Sequence, residues 1–191
     1  MDLTINLALI TADPIDGGYT WTLASRLGQM LREAEARYGP RDRAYTPLGV
    51  EFAADGPQLW YPGNCGNVVI QLGLGCLGEP FRAWYQLAHE CVHLLAPTGA
   101  RNGNVLEEGL ATHFSGAYMR EQFGAEWHAA MPSYLEAQRV VERLLALDVE
   151  AVKRLREVEP CISRITADQI AERYPGLGNE DAERLASPFA R

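Results

Sequence analysis

The chain has no apolar run approaching about 18 residues, no Lys/Arg cluster beyond scattered pairs, and no C-x-x-C spacing among its four cysteines. The first absence argues against a membrane-spanning helix, which needs about 20 apolar residues. The second argues against nucleic acid or an anionic membrane as partner, since both require a basic surface. The overall balance points the same way, with 25 acidic against 17 basic residues and a formal net charge of −8. The third absence, with no dense cysteine framework, suits reduced thiols and a cytoplasmic setting for Cys65, Cys76, Cys91 and Cys161. A Cys65–Cys76 bridge across a turn is the alternative. Residues 1–7 carry neither a basic segment nor a long apolar stretch, so no signal peptide is expected. Internal repeats and low-complexity tracts are also missing.

What remains is a chain of 191 residues, 47% hydrophobic and 22% charged, enough for one domain with a real core. Leu3, Ile5, Leu7 and Leu9 alternate with smaller or polar residues, which predicts a half-buried strand. Turn residues follow at Asp16-Gly17-Gly18. A helix is expected over 20–38, with Leu23, Leu27, Met30, Leu31 and Ala34 on one stripe and Gly39-Pro40 ending it. Residues 43–61 read as irregular β structure. The turn at 64–67 then makes a hairpin between Leu59-Trp60-Tyr61 and the strand 68–72. We expect the exposed edge of that last strand to line a cleft and hold an extended peptide by strand addition; an ordinary buried strand is the alternative. Residues 73–78 are formally G-x-G-x-x-G, but no second strand and no strand-end acid follow, so a loop is expected rather than a nucleotide site.

The residues that carry chemistry are His89-Glu90-Cys91-Val92-His93, within a helical run expected over 79–96. A spacing of four residues puts His89 and His93 on one helix face, where two imidazoles can hold one Zn²⁺ at about 2.0–2.1 Å. Glu90 is about 100° further round. It therefore leaves the ligand direction to the histidines and can reach a water bound to the metal, taking its proton and handing it on. Cys91 between the histidines reads as a packing residue.

Catalytic zinc takes three protein ligands and leaves a position for water. A third histidine in the spacing H-E-x-x-H-x-x-G-x-x-H is missing, because Ala96 and Gly99 stand at the last two positions. Instead a Pro/Gly-containing loop over 96–104 leads to a second helix from Val105, carrying Glu107-Glu108-Gly109-Leu110-Ala111. That loop reverses the chain, so the second helix can aim a carboxylate at the histidine pair.

H-E-x-x-H followed by a helix reading E-G-x-A resembles the gluzincin group of zinc metallopeptidases, over about 25 residues from His89 to Phe114. The resemblance implies that His89, His93 and Glu108 bind zinc, that Glu90 activates water, and that the substrate is a peptide or protein. Thr112 stands where some members have an Asp that orients a ligand histidine. Gluzincins usually add a Tyr or His to stabilise the oxyanion, and the candidates here are His113, Tyr118, His128 and Tyr134. Helical geometry turns His113 about 140° and Tyr118 about 80° away from Glu108, whereas His128 and Tyr134 come from the following loop and helix start.

Beyond Gly124, the S-x-x-E of Ser133 and Glu136 suggests a capping box opening a long helix to about residue 158. Short helices are expected after Thr166 and from Asn179. The expected architecture is α+β and zincin-like: an N-terminal mixed lobe over about 1–104, a helical lobe over about 105–191, and the zinc in the cleft between them. The function expected is that of a zinc-dependent peptidase. The alternative is a zincin scaffold with weak or no turnover, serving as a binding or regulatory module.

Overall fold

The computed structural model describes residues 5–63, 66–99 and 103–190. It is a mixed α+β structure in which helices predominate. A two-residue hairpin, β1 (Pro14–Ile15) with β2 (Gly18–Tyr19), turns at Asp16-Gly17. Helix α1 (Leu23–Tyr38) follows, opened by a capping box in which Thr22 and Ser25 satisfy each other's backbone N–H. The apolar stripe read from its sequence is buried, and Gly39 ends it with φ of 95°.

A three-stranded sheet comes next, from β3 (Thr46–Ala53), β4 (Gln58–Trp60) and β5 (Asn67–Gly73), in the order β3-β5-β4. β3 runs parallel to β5 and β4 antiparallel to it, so the expected hairpin forms. Part of its turn, 64–65, lies outside the described residues. Helix α2 (Pro80–His93) packs under β5 and β4, and α1 packs against α2 and β3. Helix α3 (Val105–Phe123) lies between α2 and α4 (Pro132–Leu147) and is buried on nearly every side. Its length is closed by a left-handed Gly124. Helices α5 (Ala151–Arg156), α6 (Ala167–Arg173) and α7 (Asn179–Ala186) complete the chain. One cluster of buried apolar side chains runs from Leu9 to Leu185, across the expected division near residue 104. No helix among the described residues is long and apolar enough to cross a membrane.

Gly109 explains how α3 can sit so deep. A Cβ there would fall 2.4 Å from the carbonyl oxygen of Ala137 on α4 and 2.8 Å from Val141 Cγ2. Only glycine allows this backbone approach, which seats the start of α3 firmly under α4.

Several expectations are corrected. Residues 3 and 4 of the expected N-terminal strand lie outside the described residues, and 7–9 form a 3-10 turn instead of a strand. The Asn6 side chain accepts from the N–H of Ala8, so a local turn displaces extension where no strand lies alongside. Strand 68–72 is not an edge: it lies within β5, the middle of the sheet, because β3 pairs on its far side. The edge toward the cleft is β4. The expected long helix to 158 breaks between α4 and α5. There Asp148 accepts from the N–H of Glu150 and from the Tyr174 hydroxyl, which stabilises a turn over helix continuation. The Ser133 capping box does not form. Met131 is the N-cap, Pro132 takes the first helical position, and Ser133 Oγ makes no hydrogen bond. Asn179 begins α7 without capping it, Gly178 being the N-cap. At Thr166 the capping box with Gln169 is present.

Arg156 ties the halves together. Its buried guanidinium donates to the carbonyls of Tyr38, Gly39 and Pro40 at the end of α1, to Leu95 after α2, and to Pro160.

Candidate metal centre

The candidate ligands meet where the last turn of α2 crosses the first turn of α3. His89 Nε2 lies 3.3 Å from Glu108 Oε2, and His93 Nε2 lies 3.8 Å from the same oxygen. One donor atom from each residue falls within 4.8 Å of the others. Four-coordinate zinc with bonds of about 2.0–2.1 Å needs donors about 3.3–3.4 Å apart, so the three side chains fit such an ion with small adjustments. Two imidazoles and one carboxylate are also a donor set that catalytic zinc uses. The residues therefore fit the metal that the sequence implies.

Local sequence explains the convergence. His89 and His93 share a face of α2, whose opposite face carries the buried Leu87, Ala88, Cys91 and Val92. Asn104 is the N-cap of α3, and its side chain accepts from the N–H of Glu107 at 2.9 Å. That cap fixes the first turn, so Glu107 and Glu108 both face α2 while remaining buried at 7% and 4% exposure. Acids in a first helical turn also sit favourably against the helix dipole.

Glu107 has a role that the sequence reading missed. Its Oε1 accepts from His93 Nδ1 at 2.9 Å. A proton held on Nδ1 leaves Nε2, which faces Glu108, as the nitrogen a metal ion would take, the arrangement by which a carboxylate orients a ligand histidine. Thr112, at the position where some gluzincins carry the orienting Asp, spends its hydroxyl on the carbonyl of Glu108 at 2.8 Å. The signal for Glu107 was present as N-x-x-E over Asn104 to Glu107, a helix start that fixes the acid's direction. Glu107→Gln is therefore expected to weaken zinc binding about 10–100-fold with the fold intact, measured by competition with a chromogenic chelator.

The electrostatics favour a cation. Burial works against a charged His93, but Glu108, Glu107 and Glu90 outweigh it and raise its pKa to about 10. Glu90 is itself 4% exposed and lines the cavity of about 270 Å³ beside the cluster, with His89, His93, Glu107, Glu108 and Tyr134. Gln58 and Leu59 of the edge strand β4 line it too, as do Asp55, Tyr61 and Pro97. The Tyr61 hydroxyl accepts from the N–H of Gly99, joining the sheet to the loop after α2.

Of the four aromatic candidates, only Tyr134 reaches this cavity. Its ring packs edge-on against His89 at 5.8 Å between centroids and at a tilt against Phe189 at 4.7 Å. His128 lines the adjoining pocket. His113 faces Glu142 at 3.4 Å, and burial holds its pKa below the ordinary value. The Tyr118 hydroxyl bonds to Arg26 and Gln29 of α1, and Tyr118 does not line this cavity. Cys91 is a fully buried thiol whose pKa burial pushes well up, so it acts as a packing residue. Cys76 is a free thiol, and Cys65 of the alternative bridge lies outside the described residues.

The site is thus a candidate three-ligand metal centre with a buried acid in its cavity wall. No protein-family model, curated protein or solved structure matches the chain.

Proposed function

We propose that this chain is a zinc-dependent peptidase of gluzincin type with a zincin-like arrangement of sheet, α2 and α3. The observation that carries the reading is the placement of Glu90. It stands in the wall of the cavity that His89, His93 and Glu108 enter, one residue from a ligand but turned out of the ligand direction. Glu90 is the third buried carboxylate at the site, after Glu108 as ligand and Glu107 on the His93 ring, and a purely structural metal site or a binding scaffold without turnover is complete with those two.

When bound, zinc supplies Lewis acidity, which eases the ionisation of water and polarises a carbonyl. His89 and His93 offer Nε2 to it and Glu108 offers Oε2, while Glu107 keeps the His93 ring in register. Glu90 accepts a proton from the attacking water on its carboxylate and returns it to the departing amine. Of the four candidates for stabilising the substrate's carbonyl oxygen as it gains charge, Tyr134 is taken here because it lines the cavity beside His89. The peptide lies extended along the outer edge of β4, using that strand's unpaired backbone groups, while Leu59 and Tyr61 shield the cavity from solvent.

Incubation with unfolded protein substrates tests the reading. Cleavage is expected from the zinc-loaded protein, its loss after treatment with a chelator, and its return when zinc is added back. Cleavage that survives complete metal removal would reject it.

A further inference from the structure

Resting on the peptidase reading, the next question is which peptides the site accepts. A second pocket of about 550 Å³ adjoins the metal cavity and shares Asp55, Pro57, His89 and Tyr134 with it. Its walls are mainly apolar: Tyr85 on α2, and Trp127, Ala129, Ala130 and Met131 on the segment between α3 and α4. Trp127 is braced by Tyr85 at 6.4 Å and by Phe81 at 6.5 Å between ring centroids. One cation lines this pocket, Arg82. It makes no ion pair among the described residues, and the pocket's one carboxylate, Asp55, stands at the junction with the metal cavity.

Arg82 is placed by the fold. It occupies the same stripe of α2 as Gln86, His89 and His93, at spacings of four, three and four residues. Gln86 is held by the turn after β5, accepting from the N–H of Gly73 and from Cys76 Sγ. The guanidinium lies over the same turn, where a Cβ at Gly75 would come within 2.8 Å of its Nη1. The glycine-rich stretch that resembles a nucleotide loop thus makes room for an arginine. Along the helix axis Arg82 stands about 10 Å from His89, the reach of about three extended residues.

The structure assigns this pocket to a large apolar side chain of the substrate and assigns Arg82 to a carboxylate on the same side of the scissile bond. The carboxylate is either the C-terminus of a short peptide or an Asp or Glu side chain. A guanidinium recognises both by paired N–H donation.

Calorimetric titration of the zinc-loaded Glu90→Gln protein, which prevents turnover, tests this with three probes: acetyl-Phe-Ala, its C-terminal amide, and acetyl-Phe-Asp-amide. At least one carboxylate peptide is expected to bind about tenfold tighter than acetyl-Phe-Ala-amide, and Arg82→Gln is expected to erase that difference. Which carboxylate wins identifies its source. Trp127→Ala is expected to weaken all three probes alike. No binding by any probe, equal affinity for acid and amide, or a preference that survives Arg82→Gln overturns the assignment. A preference lost in Arg82→Gln, with no cleavage by wild type, would retain the pocket and reject the peptidase reading; cleavage without the preference would do the reverse.

Discussion

Glu90→Gln is expected to retain zinc and to lower peptide cleavage about 10²–10⁴-fold, the range associated with a positioned general base. Glutamine has nearly the shape of glutamate, so the buried position in the cavity wall is filled as before. It cannot take a proton from water at neutral pH. The ligand atoms of His89, His93 and Glu108 are untouched by the change, which separates loss of chemistry from loss of metal. Parallel assays of zinc content and of cleavage across a broad peptide library measure both. Equal cleavage by mutant and wild type would remove Glu90 from the mechanism, and zinc loss in the mutant would recast it as a ligand.

The largest expected effect on stability comes from Arg156. Five backbone carbonyls accept from it, at 2.7 Å for Tyr38, 2.9 Å for Gly39, 2.8 Å for Pro40, 3.2 Å for Leu95 and 2.9 Å for Pro160. The end of any α-helix leaves carbonyls without internal donors, and here the ends of α1 and α2 share one donor group supplied by α5. Burial lowers the arginine's pKa, yet a guanidinium remains charged and can spread five N–H groups over several acceptors. Arg156→Met fills the space but strands those oxygens. A loss of about 3 kcal/mol is expected, since leaving even one buried acceptor unsatisfied costs about 1–3 kcal/mol and some of these would regain water. For a chain of this size that corresponds to a fall in Tm of about 10 °C. Arg156→Lys should lose less than Met, because an ammonium offers three donors from one point. Thermal denaturation of the three proteins gives the order. A methionine variant as stable as wild type would show that the clamp contributes nothing net.

Much of the site was legible because local rules and tertiary packing agree there. Four-residue spacing places His89 and His93 on one face of any helix, and Glu-Gly-x-Ala marks an acid beside a position that tolerates close packing. The contact of Gly109 with the Ala137 carbonyl gives that pattern its physical meaning, though which element would press there could not be read from the sequence. The orienting role of Glu107 was missed because two adjacent acids invite a choice between them, when the fold uses both.

Elsewhere, partners distant in the chain decided matters. Alternation over residues 3–9 needs a neighbouring strand to become β, and Asn6 instead donates its N–H to the Leu77 carbonyl. β4 rather than β5 lines the cavity because β3 takes the far side of β5, a pairing across 20 residues that periodicity does not encode. The break after Leu147 depends on Tyr174 reaching Asp148, 26 positions away. Arg156 gave no signal at all: one more arginine in a basic-looking helix became the link between three helix ends.

The central claim is that α2 and α3 hold one zinc ion through His89, His93 and Glu108. Elemental analysis of the purified protein beside Glu108→Ala tests it most directly. About one zinc per chain in wild type, and little or none in the variant at the same protein concentration, is the predicted result. Full zinc retention in Glu108→Ala, or a wild-type protein that takes up iron in preference to zinc, would contradict it.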